Sequence, residues 1–347
     1  GAGVRPSGRR AARYHRPETG ARAMIELSNL SVHFGHAAAL RDANLVIERG
    51  DRLGVVGESG SGKTLLALCL MGMAPDSARL TGQLRIDGQD MARAAERDWQ
   101  RLRSRRVAMV FQEPMAALNP LRRVGDTVME PMLLHDGLTH RAARARALSL
   151  FEEVGIPDPD RRLRQFPHEM SGGQRQRVLI ALALACNPML LIADEPTTAL
   201  DANVALRITD LLQRLARERQ MALVFISHDL AAVARATEDI VVMYAGDMVE
   251  RGRTAKVLGA PAHPYTKGLL GARPDAGVAG RDAQGKRRRL PTIPGTVPPL
   301  HALPLGCRFS GRCPVELPHC AAQRPAFAQT ETGRGAACHL LTEPRHD

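Results

Sequence analysis

Short apolar runs alternate with helical stripes along most of the chain. Between residues 24 and 56 the pattern predicts β segments: Ile25 to Leu30, Ser31 to Phe34, Ala43 to Ile47, a turn at Arg49-Gly50-Asp51, then Leu53 to Val56. A helical stripe follows (Leu65, Leu66, Leu68, Leu70, Met71), then a strand at Leu84 to Ile86 and a charged helix from Ala92 to Arg103. Val107 to Phe111 reads as a buried strand ending at Gln112, and Glu113-Pro114 with Leu118-Asn119-Pro120 marks an irregular loop. Residues 123–153 are helical by periodicity, with breaks expected at Pro131 and Gly137, and predict a helical subdomain at about 113–175. The second half repeats the alternation. A helix from Ser171 to Ala185, a strand at Met189 to Ala193, a helix from Asn203 to Arg219 and a strand at Ala222 to Ile226 come first. Ile240 to Tyr244 and Met248 to Glu250 then flank a Gly246-Asp247 turn. Such alternation predicts an α/β fold with a mainly parallel sheet, whose ligand groups gather at the carboxyl ends of its strands.

One loop sits where that rule places a site. Gly57-Glu58-Ser59-Gly60-Ser61-Gly62-Lys63-Thr64 fits G-x-x-x-x-G-K-[ST], with a strand before it and a helix after it. The glycines let successive N–H groups point at phosphate oxygens, and the helix adds its positive end. Lys63 is placed to reach the β and γ phosphates of a nucleotide and the Thr64 hydroxyl to ligate Mg²⁺. Phe34, some twenty residues earlier, is either an adenine-stacking ring or an edge-strand core residue. Ser171, with Gln174 three residues on, has the pattern of a capping box.

Composition sharpens this picture. The 347 residues are 44% hydrophobic and 3% aromatic, enough for a large domain and a smaller one. The longest apolar stretch, Val178 to Ala193, is interrupted by Asn187-Pro188, so no segment is expected to cross a membrane. Residues 1–23 are Arg- and Gly-rich with no apolar signal region; Met24 is read as the start, and 1–23 as a disordered or vector-derived leader. A net charge of +12 invites a nucleic-acid partner, yet the arginines are spread along the chain as a solvated surface is. The same charge suits a position beside an anionic inner leaflet.

Taken in order, six motifs make residues 25–255 resemble the ATP-binding-cassette (ABC) ATPases. They are the phosphate loop 57–64, Gln112 after a strand, Met170-Ser171-Gly172-Gly173-Gln174, Asp194-Glu195 after an apolar run, Ala199-Leu200-Asp201, and His228. Met170 stands where the family usually has Leu, a volume-conserving swap. The resemblance implies a P-loop ATPase domain over 24–257, with a mainly parallel sheet, an antiparallel β subdomain and a helical subdomain. It implies ATP and Mg²⁺ as ligands, with Asp194 holding the metal through water, Gln112 sensing the γ-phosphate through the metal and water, Glu195 accepting a proton from or orienting the attacking water, and His228 hydrogen-bonding the γ-phosphate and bracing Glu195. Asp201 and residues 171–174 belong to the nucleotide site by the same resemblance, Ser171 and Gly173 acting in trans on ATP held by a second cassette.

Beyond residue 257 the composition shifts toward Pro, Gly and Arg, with a flexible linker expected over 271–290. Residues 258–347, with His263-Pro264-Tyr265 and Cys307, Cys313, Cys320 and Cys338, are expected to form a small irregular domain and resemble the tail of peptide-importer ATPases. Four thiols in a tail poor in apolar residues suggest a shared ligand. Their spacing lacks a zinc knuckle and suits a [4Fe–4S] cluster better, with zinc or redox-active thiols as alternatives. The subfamily implies a peripheral ATPase on the cytoplasmic face of a bacterial inner membrane, paired with a homologous but distinct ATPase subunit. Two permease subunits and an extracytoplasmic peptide-binding protein complete the expected assembly. A soluble cassette acting on nucleic acid or ribosomes, or an iron- or redox-sensing regulator, are the rival readings; a single phosphate loop and the absence of sustained heptads oppose the first.

Overall fold

A computed structural model describes residues 23–112, 114–272, 292–330 and 334–342. The expected leader (all but its last residue) and most of the expected linker therefore lie outside the described residues. Two sheets organise the rest. Ala37–Ile47, Ile25–Phe34, Ala78–Ile86 and Gln89–Asp90 pair antiparallel in that order. The larger sheet has eight strands in the order Phe327–Gln329, Gly335–Ala337, Asp247–Arg253, Asp239–Tyr244, Arg52–Val56, Ala222–Ile226, Leu190–Asp194, Val107–Val110. Its five strands from Asp239–Tyr244 to Val107–Val110 pair in parallel. Val107–Val110, Leu190–Asp194 and Ala222–Ile226 are buried along their whole length, because both faces of the parallel sheet are covered.

Each face carries its own core. On one, Val110, Ala193, Phe225 and Tyr244 pack with the helical subdomain through Val128, Met132, Phe151 and Ile180. On the other, Val55, Ile192 and Val224 pack with the antiparallel sheet through Ile25, Leu45 and Ile86. Within the helical subdomain one expectation fails. Val124–His135 runs straight past Pro131. A proline removes one N–H bond to the carbonyl four residues back, and burial of Val128 and Met132 on either side outweighs that loss. The break falls instead at Gly137, whose φ of 64° favours glycine, and Thr139 caps the next helix by accepting from Ala142 N–H at 3.3 Å.

The chain beyond 257 is built into the ATPase-like sheet. Gly335–Ala337 pairs with Asp247–Arg253, adding a two-stranded ribbon to its edge. Phe309, 2% exposed, wedges between Tyr244 and Tyr265, with ring centroids 5.1 and 5.4 Å away. His263-Pro264-Tyr265 makes the junction. The fully buried Glu250 carboxylate accepts the N–H groups of Ala262 (2.7 Å) and His263 (2.9 Å). His263 Nδ1 in turn accepts from Tyr265 N–H at 3.1 Å, capping the Pro264–Gly271 helix with proline at its first turn.

Burial drives the His263 pKa from 6.5 down to about 4, so the folded protein holds the ring neutral. The unfolded chain binds a proton that the native state refuses, so the stabilisation is complete above pH 6.5 and is lost as pH falls toward 4. The expected loss across that window is about 3 kcal/mol. His263→Asn keeps a cap acceptor without a titrating ring, so the difference between wild-type and variant urea midpoints should change with pH in this window and be constant above it.

Candidate nucleotide site

Strand ends converge on one cavity of about 530 Å³, lined by residues 59–65, Gln112, Glu195 and His228, with Ala39, Ala245 and a segment at 297–303 on its apolar side. The phosphate loop leaves the Arg52–Val56 strand and enters the Lys63–Leu70 helix, whose N-terminus at Gly62 (φ 95°) no side chain caps. Gly57 is held so close to the neighbouring strand that a Cβ would lie 2.2 Å from Met243 O, and Gly246 N–H braces the loop through Ser61 O at 2.9 Å. Lys63 Nζ donates to Gly57 O (2.8 Å) and Glu58 O (3.0 Å). Burial lowers its pKa, opposed by the charges of Glu195, Asp194 and Glu58.

Register sets the acidic pair. Asp194 sits opposite Ile226 across parallel strands, and Glu195 N–H donates to Ile226 O at 2.9 Å, so Glu195 and the residues after Ile226 emerge side by side. His228 Nδ1 then lies 2.8 Å from Glu195 Oε2, the oxygen that also accepts from Thr198 Oγ1 at 3.1 Å. Glu195 occupies a left-handed backbone conformation (φ 49°), a strained setting for a carboxylate at a strand end. Asp194 is 2% exposed, and its Oδ1 has no hydrogen-bond partner. Burial and the neighbouring Glu195 raise its pKa, while Thr64 and Lys63 pull it down. A buried, orphaned carboxylate oxygen beside a hydroxyl is a donor set that fits a Mg²⁺ ion.

The remaining expected residues spread wider. Ser171 caps the Gly172–Ala183 helix: its Oγ accepts from Gln174 N–H at 3.3 Å, and its own N–H donates to Gln174 Oε1 at 3.1 Å. Neither these two nor Gly172 and Gly173 line the cavity. Asp201 caps the Ala202–Glu218 helix through the N–H groups of Asn203 (3.1 Å) and Val204 (3.0 Å). Phe34 is half-buried at a strand end, packed against the antiparallel core. Glu58 faces away from the cavity, toward Arg312.

That arginine escaped the sequence reading, since nothing in its spacing marks it. Arg312 is 7% exposed and donates to both Glu58 carboxylate oxygens (2.8 and 3.2 Å), to Tyr244 OH (3.1 Å), and to Pro294 O (2.7 Å). Tyr265 OH completes the contact by accepting Glu58 N–H at 2.7 Å. The His-Pro-Tyr signature thus flagged one of the two groups that bind the loop.

The four tail cysteines, far apart in sequence, line a single small cavity with His263 and His339 on its wall. All are free thiols. Burial pushes Cys307 up to about 11 and raises Cys313 and Cys338, with neighbouring cysteines adding to the effect. Among the described residues no three His, Cys, Asp or Glu side chains are drawn into metal-holding spacing. The thiols therefore converge without forming a coordination sphere.

Known proteins share both parts of this architecture. The ABC transporter family matches residues 40–198, and the oligopeptide/dipeptide transporter C-terminal region matches residues 249–320. The dipeptide transport ATP-binding protein DppD of Escherichia coli is 44% identical over 322 residues, 91% of this chain and 96% of that protein. The dimeric structure of MJ0796, a bacterial ABC transporter cassette, superposes with a TM-score of 0.59 at 31% identity, covering 67% of this chain and 99% of that one. A post-hydrolysis state of the same cassette, bound to ADP and Pi, gives 0.59 at 29% identity with the same coverage. With the phosphate loop, the acidic strand end and the His-Pro-Tyr tail all in place, the chain belongs to the ABC transporter ATP-binding subunits of the oligopeptide/dipeptide importer subfamily.

Proposed function

We propose that this chain hydrolyses ATP at a site shared with a second cassette and so powers import of dipeptides or oligopeptides through two membrane permease subunits. The observation that carries the hydrolytic reading is the Glu195–His228–Thr198 constellation on the same cavity as Lys63 and Gln112. The peptide reading rests on the 44% identity to the dipeptide transport protein along nearly its whole length.

Phosphoryl transfer asks a protein for positioning and charge stabilisation more than covalent chemistry. The uncapped helix end and the loop N–H groups would hold the β and γ phosphates, and their negative charge would offset the burial that disfavours charged Lys63. Thr64, Asp194 and Gln112 would hold Mg²⁺, which neutralises charge on the transferring group. Glu195 would accept a hydrogen bond from the attacking water while His228 and Thr198 fix the carboxylate through its other contacts. Ser171, Gly172, Gly173 and Gln174, rigidified by the capping box yet away from this chain's own cavity, would close on nucleotide in the partner cassette, with Asp201 at the same seam. The dimeric form of the MJ0796 cassette supports that arrangement.

The partner is proposed to be a homologous, distinct ATPase, and an extracytoplasmic binding protein would deliver substrate to the permeases. Exposed Leu121 (85%) and Leu134 (73%) on the loop and helical subdomain offer apolar footing for permease coupling segments. No helix among the described residues is long and apolar enough to cross a membrane, which suits a peripheral subunit on the cytoplasmic face of the inner membrane. Cys307, Cys313, Cys320 and Cys338 are proposed to hold a [4Fe–4S] cluster, with zinc as the alternative; their shared cavity supports a common ligand. Anaerobically purified protein should then carry iron and a visible absorbance, both lost on replacing Cys320 with Ser; zinc alone would select the alternative, and neither metal would leave the thiols unliganded.

Glu195→Gln in the assembled transporter should slow phosphate release by about 10²–10⁴-fold, the range a general base supplies, with ATP binding retained. Phosphate release at the wild-type rate would place the base elsewhere.

A further inference from the structure

We propose that Tyr265 and Arg312 of the C-terminal extension are positioning residues for ATP, acting through Glu58 to aim the Lys63 ammonium at the phosphates. The proposal rests on the nucleotide reading above. Glu58 is the second residue of the phosphate loop, and each of its polar groups has a partner. Its N–H donates to Tyr265 OH at 2.7 Å, and its carbonyl accepts from Lys63 Nζ at 3.0 Å and from Ser61 N–H at 3.1 Å. Arg312 takes both carboxylate oxygens, at 2.8 and 3.2 Å.

A trans peptide is flat, with its N–H and C=O pointing in opposite directions. The unit joining Gly57 to Glu58 gives its N–H to Tyr265 OH, and its C=O accepts from Lys63 Nζ at 2.8 Å. Turning the N–H outward to the extension therefore turns the carbonyl inward to the lysine. Glycine at 57 offers little steric resistance to rotation of this unit, and Met243 O leaves no room for the Cβ that would restrain it. The orientation is set from outside the loop. Tyr265 is fully buried, with the rings of Tyr244 and Phe309 4.7 and 5.4 Å away. Arg312 is 7% exposed and also donates to Pro294 O (2.7 Å) and Gly295 O (3.1 Å). The negative charge of Glu58 acts on Lys63 as well. Paired with Arg312, that carboxylate is kept from competing with phosphate for the ammonium. A lysine aimed before ATP arrives loses less freedom on binding it.

Full-length protein labelled with ¹⁵N at lysine Nζ reports on Lys63 directly, because the chain has only four lysines. Tyr265→Phe keeps the ring and removes the hydroxyl. Its calorimetric affinities for ATP and for inorganic tripolyphosphate, with magnesium present, should fall together by about tenfold, the loss of one hydrogen bond. Its Lys63 signal should also move in ligand-free protein, which a general loss of stability does not produce. Arg312→Met should weaken ATP binding too, and Glu58→Gln/Arg312→Met should bind ATP more tightly than Arg312→Met, the released carboxylate being gone. In wild-type protein the Glu58 amide should exchange slowly without ligand and no differently with ATP. Full ATP affinity in Tyr265→Phe, an unmoved Lys63 signal, or fast exchange at Glu58 in the wild type would each overturn the proposal. A double variant that binds no more tightly than Arg312→Met would overturn the part given to Arg312. Wild-type protein that binds neither ATP nor tripolyphosphate would overturn the nucleotide reading itself, and this proposal with it.

Discussion

A guanidinium buried against the phosphate loop holds the two regions of this protein in one frame. Burial by itself would lower the pKa of Arg312, yet the Glu58 carboxylate and Tyr244 hydroxyl hold it above the usual arginine range. A buried ion pair gains little net stability when its desolvation is counted, so its value here is geometric. With carboxylate, phenol and carbonyl partners all supplied, the charge is satisfied only when the tail, the loop and the Asp239–Tyr244 strand take one arrangement. Replacing Glu58 would leave the buried charge without its counter-ion, and the phosphate loop would be the segment free to relax.

The same frame explains why chemistry collects where it does. Parallel strands in register bring Asp194, Glu195 and His228 to one edge, and the residues that follow those strands have no further ladder to satisfy. Helix N-termini face this edge and favour anions. Two opposed cores press on the sheet, one through the helical subdomain and one through the antiparallel sheet, so strand ends are held rigidly while loops above them remain free to meet ligand. Lys63 and Asp194 are both buried and both pushed toward their neutral forms. A polyphosphate with its cation supplies the missing charge to each, which ties ligand binding to electrostatic relaxation of the site.

In the proposed assembly, cargo is handled by other chains. There the capping-box helix would face a second cassette, and the exposed leucines of the helical subdomain would face a membrane protein. In that arrangement the proposed role of the chain is to convert closure around nucleotide into displacement of its neighbours.

How much was legible in the sequence follows from how local each feature is. The phosphate loop, the Ser171–Gln174 box and the acidic pair were readable because strand, loop and helix are consecutive, and because periodicity and glycine placement act over a few residues. The order of the strands, the pairing of Asp194 with Ile226, and the passage of a helix through Pro131 were set by packing between distant segments, which no window of sequence contains. Phe34 shows the limit most directly: its spacing allowed two roles, and only the tertiary structure shows that it packs half-buried against the antiparallel sheet. The tail was readable as a change of composition with four cysteines and a His-Pro-Tyr marker. That its strands would join the main sheet, its Arg312 clasp the phosphate loop and its residues 297–303 border the nucleotide cavity was decided in three dimensions, where contacts across more than two hundred residues of chain replace those along it.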